Sequence, residues 1–172
     1  MILEPKVFKD DRGAFIETFH APRYSALGIG PFVQDNWSIS RKGVLRGLHF
    51  QQPRPQGKLV MVTRGSAWDV AVDIRRGSPT FGKHVGVELS QANARQLWIP
   101  PGFAHGFVAL EDDTDFLYKC TDVYVPEADS AILWSDPDLA LPWPVAAPFV
   151  SAKDARAPRL KDAPNLFTWE PK

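Results

Sequence analysis

Sixteen prolines and twelve glycines are spread along the whole length of this 172-residue chain, and they limit what it can fold into. Proline in a helix interior removes a backbone hydrogen bond and clashes with the preceding turn, so such spacing breaks helices repeatedly. Between the breaks lie short runs rich in Val, Ile, Leu, Phe and Trp. Residues 58–63 (KLVMVT) and 67–74 (AWDVAVDI) flank Arg64-Gly65-Ser66, which reads as a hairpin turn. Residues 83–89 alternate in polarity, and runs at 96–99, 106–110 and 115–118 follow at short intervals. Many short strands at this spacing predict an all-β sandwich or barrel. Helix is expected only within 21–27 and in a turn near 151–156. The length suits one domain over residues 1–172, with a barrel core at about 30–136 and a proline-rich extension packed on it at about 137–172.

Within that frame, Gly43-Val44-Leu45-Arg46-Gly47-Leu48-His49-Phe50-Gln51 is the most informative stretch. Some β-barrels hold a metal with a glycine, five residues, His-x-His and a nearby glutamate. Here Gly43 and His49 keep the spacing, Gln51 stands in place of the second histidine, and no glutamate follows until Glu88. One histidine remains in a place built to present histidines, which points to acid–base chemistry without a metal or other cofactor. Arg46 lies three residues before His49, and Lys58 follows a loop containing Pro53, Pro55 and Gly57. Three cationic groups around one glycine-rich stretch suit an anionic substrate, although a lone Arg or Lys is more often a solvated surface residue.

A second signature lies at residues 98–107, where Pro101 and Gly102 set a tight turn ahead of His105. His105 reads either as a core histidine satisfied by a backbone hydrogen bond or as a binding residue. Tyr118 and Tyr124, six apart, share a face if one strand carries both. One could donate a proton and the other stack on an aromatic ring, but periodicity alone favours two core aromatics. Asp154 on its own reads as an exposed carboxylate or a helix cap. Cys120 has no histidine near it in sequence and is given no role.

Charge and composition exclude several classes. Lysine plus arginine balance aspartate plus glutamate, 20 against 20, so no global basic field draws the chain to nucleic acid. The single cysteine rules out an internal disulfide and fits a reducing compartment. Neither a signal peptide nor an apolar run of the ~18 residues a membrane helix needs is visible, so a cytoplasmic protein away from membranes is expected.

The stretches around His49 and His105 resemble the cupin signatures. Together with Asp11-Arg12-Gly13, Glu17, Gln34-Asp35-Asn36, Ser38, Gln56-Gly57-Lys58, Asp69, Ser78 to Gly82, Tyr118-Lys119 and Trp134 to Pro137, they are similar to the dTDP-4-dehydrorhamnose 3,5-epimerase family. The resemblance runs from about residue 5 to 155. It implies a metal-free cupin jelly roll, usually a homodimer, acting on a dTDP-4-keto-6-deoxyhexose. It also implies His49 as general base with Asp154 orienting it, Lys58 at the developing enolate, and Tyr118 as proton donor. Tyr124 matches the tyrosine that stacks on thymine. Substrate contacts carry over to Arg12, Glu17, Gln34, Asp35, Asn36, Arg46, His105 and Lys153. The family's glutamate falls on the shorter Asp129, and Trp37 stands where many relatives have histidine. The region from Arg12 to Asn36 is expected to complete a partner's site. A C3-only epimerase or ketoisomerase of the same fold, and a non-catalytic sugar-nucleotide-binding cupin, are the competing readings.

Overall fold

The computed structural model describes residues 1–171. In chain order the elements are β1 (Ile2–Leu3), β2 (Val7–Asp10), β3 (Gly13–Ile16), α1 (Ala21–Ser25), β4 (Gln34–Ser40), β5 (Leu45–Gln51), β6 (Lys58–Arg64), β7 (Ser66–Asp73), β8 (Arg75–Arg76), β9 (His84–Ser90), β10 (Gln96–Ile99), β11 (Phe103–Ala109), β12 (Thr114–Cys120), β13 (Asp129–Ala131), α2 (Ala152–Ala155) and β14 (Phe167–Thr168). The long strands form two antiparallel five-stranded sheets, ordered β1-β10-β6-β12-β4 and β13-β5-β11-β7-β9. The expected helices are present as the short α1 and α2. This is the all-β architecture that the break pattern predicts, in the jelly-roll form that the resemblance implies. No helix among the described residues is long and apolar enough to cross a membrane.

One local expectation is corrected. Arg64-Gly65-Ser66 does not close a hairpin, because β6 pairs with β10 and β12 while β7 pairs with β11 and β9. The turn hands the chain from one sheet to the other. Turn residues specify that a chain reverses, not which strand it reverses onto. A two-stranded hairpin does exist at β2–β3, outside the two sheets, where exposed Phe8 and Phe15 pair across it.

Alternation along each strand separates three apolar layers. Between the sheets, Val60 and Val62 of β6, Val87 and Leu89 of β9, Leu97 and Ile99 of β10, Phe107 and Phe116 are all buried together. The outer face of the second sheet, with Leu48, Phe50, Val70 and Val72, packs on Ile132, Leu139, Leu160 and Ala163 of the C-terminal region. The outer face of the first sheet, with Leu59 and Trp98, is covered by Ile29, Phe19, Tyr24 and Phe32. Both sheets are therefore covered outside; Gln51 of β5, Asp69 of β7 and His105 of β11 are buried polar positions that face inward, whereas buried Gln96 of β10 faces the outer layer and bonds Thr18 O and the Tyr24 hydroxyl.

A buried carboxylate fixes the loop after β7. Asp73 accepts two bonds from the Arg75 guanidinium at 2.8 and 2.7 Å, one from Ser78 Oγ at 2.7 Å and one from Thr80 Oγ1 at 2.6 Å. Burial pushes its carboxyl up, but the Arg75, Thr80 and Ser78 donors outweigh that and hold it well below the usual carboxylate range. A depressed folded-state pKa gives stability that is present above the unfolded value near 4 and is lost as pH falls. Asp73→Asn is therefore expected to lose about 3 kcal/mol at pH 7. The gap from wild type should shrink on acidification below roughly pH 4, read from denaturant melts at several pH values. A gap independent of pH would refute the charge-based account.

Candidate functional site

The sheets enclose a cleft at the end where β4 and β12 face β5 and β13. A cavity of about 480 Å3 is lined by Ser38, Arg46, His49, Lys58, His105, Tyr118, Phe149, Lys153 and Asp154, among others. A second, of about 310 Å3, is lined by Gln34, Asn36, Gln51, Gln56, Cys120, Tyr124 and Asp129. His49, Lys58 and Tyr118 line both, so the two cavities form one cleft with those side chains at its waist.

The spacing of Arg46 and His49 poses a geometric problem. Residues three apart on a regular strand point to opposite faces. Here His49 sits opposite His105, but Arg46 sits opposite Phe107, so β5 spends one more residue than β11 over the same span. That extra residue makes a β-bulge and returns Arg46 to the inner face. Gly47 and Leu48 oppose Gly106 there. Gly47 has φ of 135°, and a Cβ on it would lie 2.5 Å from Gly106 Cα and 2.9 Å from His105 O. Only glycine fits that conformation and that approach.

The bulge also serves the second chemical group. Asp154 Oδ1 lies 2.6 Å from His49 Nε2, across 105 residues of sequence. Its carboxylate is 3% exposed, so the sequence-level reading of an exposed or capping carboxylate is corrected. The cap of α2 is Ser151, whose Oγ accepts the Asp154 backbone N–H at 3.1 Å. Burial pushes the Asp154 carboxyl up, but bonds from His49, Ser151 and the Gly47 backbone N–H bring it below its ordinary value. An ionised carboxylate only accepts, so Nε2 carries the hydrogen and Nδ1 keeps the basic lone pair. The approach of α2 is fixed upstream, where Leu45 N–H donates to Phe149 O at 2.9 Å and Phe149 N–H to Gly43 O at 2.8 Å.

Facing this dyad are groups from the other sheet. Lys58 opens β6, and Tyr118 lies on the inner face of β12 beside Phe116. Burial pulls the Lys58 ammonium below its ordinary pKa and pushes the Tyr118 phenol above its own. Tyr124 does not share a strand with Tyr118, because β12 ends at Cys120. The following loop instead turns Tyr124 back to the rim of the same cleft. The Tyr124 hydroxyl lies 3.0 Å from Asp129 Oδ2, which also pairs with Lys153. Asp129 thus reaches both neighbours despite its shorter side chain.

His105 is buried and meets a carboxylate rather than the backbone, with Nε2 2.8 Å from Asp69 Oδ2. Arg46 Nε donates to Ser40 Oγ at 3.3 Å. Gln34 and Asn36 face inward and hydrogen-bond each other at 3.0 Å, while Asp35 alternates outward to pair with Lys119 at 3.0 Å. Arg12 is tied to Asp10 and Glu17 to Arg23, and neither lines the cleft. Three contributors carry no role in the sequence reading. Asp69 stands 36 residues from the histidine it holds. Ser38 lines the cleft with a buried hydroxyl that has no protein partner. Gln51 was read only as a missing ligand. Ser38 and Asp69 fall within the stretches that carry the resemblance, and alternation along a strand is the remaining sequence signal for all three. Among the described residues, no group of three or more His, Cys, Asp or Glu side chains is disposed to hold a metal ion.

Residues 1–162 match the family model described as dTDP-4-dehydrorhamnose 3,5-epimerase. The chain is 55% identical over 168 residues to the dTDP-4-dehydrorhamnose 3,5-epimerase of Salmonella typhimurium, covering 95% of this chain and 91% of that one. It is 52% identical over 166 residues to the Pseudomonas aeruginosa protein of the same name, covering 95% and 92%. The crystal structure of a dTDP-6-deoxy-D-glucose-3,5-epimerase from Legionella pneumophila, in complex with dTDP-4-keto-L-rhamnose, superposes with a TM-score of 0.95 at 55% identity. It covers 99% of this chain and 93% of that one.

If the bulge sets the cleft, Gly47→Ala should be among the most damaging single-methyl additions in the protein. A loss of roughly 3 kcal/mol is expected in urea denaturation. An unchanged midpoint would show that the Gly47–Gly106 contact can relax at no cost.

Proposed function

The chain belongs to the dTDP-4-dehydrorhamnose 3,5-epimerase family, and from that membership we propose how its cleft inverts C3 and C5 of a dTDP-4-keto-6-deoxyhexose, giving dTDP-4-dehydro-L-rhamnose for dTDP-L-rhamnose biosynthesis. The observation that carries the mechanism is the His49–Asp154 contact on one sheet, facing Lys58 and Tyr118 on the other. The C4 ketone acidifies the hydrogens on C3 and C5. His49, oriented by Asp154, removes one of them through Nδ1. Ionised Asp154 then stabilises the imidazolium. The electron pair moves onto O4, where Lys58 donates a hydrogen bond. Burial makes its ammonium more acidic and hence a better donor to an enolate, an effect often worth ~3 kcal/mol. Inversion needs the new proton on the opposite face, and a sandwich presents opposite faces by construction. Tyr118, kept protonated by burial, returns that proton.

The remaining residues suit the nucleotide. Arg46 and Lys153 offer charge-assisted hydrogen bonds to the diphosphate. The half-exposed ring of Tyr124 at the rim suits stacking on thymine, with Gln34, Asn36 and Asp129 around it. We further propose a cytoplasmic homodimer in which Arg12 and Glu17 complete the partner's cleft. Exposed Phe8 and Phe15 on the β2–β3 hairpin, and exposed Trp37 and Ile39 on edge strand β4, support that surface.

In deuterated water the enzyme should label both C3 and C5 of the product, since the tyrosine proton exchanges with solvent. Label at C3 alone would favour a 3-epimerase, and label at neither would refute the reading. His49→Ala should lower exchange by roughly a hundred- to ten-thousand-fold while still binding dTDP. The alkaline limb of kcat should lie below the ordinary lysine value and belong to Lys58. Tyr118→Phe should then lower the rate without moving that limb. A native mass equal to one chain would count against the shared cleft.

A further inference from the structure

Gln51 occupies the place of the second metal-holding histidine, is 3% exposed, and takes no part in the proton transfers above. Its side-chain amide is fully engaged. Nε2 donates to Arg54 O at 2.7 Å and to Val123 O at 3.1 Å, and Oε1 accepts Val125 N–H at 2.8 Å. The carbonyls can only accept and the amide N–H can only donate, so the orientation of the Gln51 side chain is fixed by its partners. Val123 and Val125 bracket Tyr124, whose own N–H donates to Gln34 Oε1 at 2.7 Å. Gln51 lies on the second sheet and Gln34 on the first. Two amides thus tie three successive residues of the rim loop to both walls of the cleft.

No other side chain satisfies the same three groups. A neutral histidine offers one donor and one acceptor, an ionised glutamate offers no donor, and asparagine is one methylene shorter. We propose that Gln51 is a positioning residue for nucleotide binding: through Val123 and Val125 it holds the Tyr124 ring where the base stacks, and so sets affinity rather than proton transfer. A loop ordered before binding does not lose that conformational entropy when the ligand arrives. The inference rests on the reading of Tyr124 as the stacking residue, and its test separates the two.

Gln51→Met keeps the side chain's length and removes all three bonds. Against dTDP by calorimetry, and against substrate in steady state, it should raise Kd and KM roughly tenfold, with kcat lowered far less. Tyr124→Ala should raise both at least as much, and the double variant should be no worse than Tyr124→Ala, because Gln51 acts through that ring. Additive effects, or a fall in kcat with KM unchanged, would overturn the positioning role. If Tyr124→Ala weakens dTDP binding and Gln51→Met does not, the inference about Gln51 fails and stacking stands. If Tyr124→Ala leaves affinity unchanged, the stacking reading fails, and the role of Gln51 with it. Should Gln51→Met not fold, Gln51→Glu keeps the size and the bond from Val125 while placing a carboxylate against two carbonyls. Wild-type affinity for dTDP in that variant would equally overturn the proposal.

Discussion

The cleft depends on a contact with no side chains in it. Gly47 of β5 and Gly106 of β11 meet backbone to backbone, each too close to its neighbour for a Cβ. Accommodating one extra residue at that contact sets Arg46 and His49 on one face and frees the Gly47 N–H for Asp154. The two sequence motifs, Gly43 to Gln51 and Trp98 to Phe107, are therefore the two halves of a single bulge. Bulges re-aim side chains at the rims of sheets, and this one brings Arg46, His49 and the Asp154 carboxylate together in one cleft.

Putting polar chemistry between two sheets has an energetic condition. A buried ionised group is tolerated only when it is paired and hydrogen-bonded. The cleft meets it with carboxylates set against imidazoles, Asp154 on His49 and Asp69 on His105, and with Asp129 shared between Tyr124 and Lys153. Two exceptions stand out: Asp69 keeps a buried oxygen, Oδ1, without a hydrogen-bond partner, and Lys58 is the other. Its ammonium carries a desolvation penalty that only more distant charges offset. That imbalance suits Lys58 to the proposed role of donating to an enolate oxygen as it gains negative charge.

What was legible in the sequence follows from how local each signal is. Proline and glycine spacing gives strands and short helices because it acts on neighbouring residues. Glycine and histidine spacing singles out His49 and His105 because each signal lies within ten residues of sequence. The pairing of β6 and β7 was not legible, since a turn carries no label for its sheet. Nor was Asp154, whose helix is aimed by backbone bonds to Gly43 and Leu45 more than a hundred residues away in sequence. Its role came from family resemblance, and the 2.6 Å contact supplies the physical reason. Arg12 and Glu17 show the converse limit, since each pairs with a near neighbour in sequence, Asp10 and Arg23, and lies outside the cleft that the resemblance assigns it to.

Gln51 shows why a degraded metal motif can be a working one. A histidine bound to a metal has committed the lone pair that a general base needs, so the same imidazole cannot serve both chemistries at once. Dispensing with the metal requires more than losing ligands. The vacated inward position must be filled by a group that satisfies the backbone now exposed to it. On β5 the amide of Gln51 faces two carbonyls and one N–H, and it answers all three. The residue that stands where a metal ligand would lie beside His49 is thus also the one that ties the rim loop to β5. In the proposed mechanism, acid–base chemistry at His49 and a fixed Tyr124 are two consequences of a single side chain.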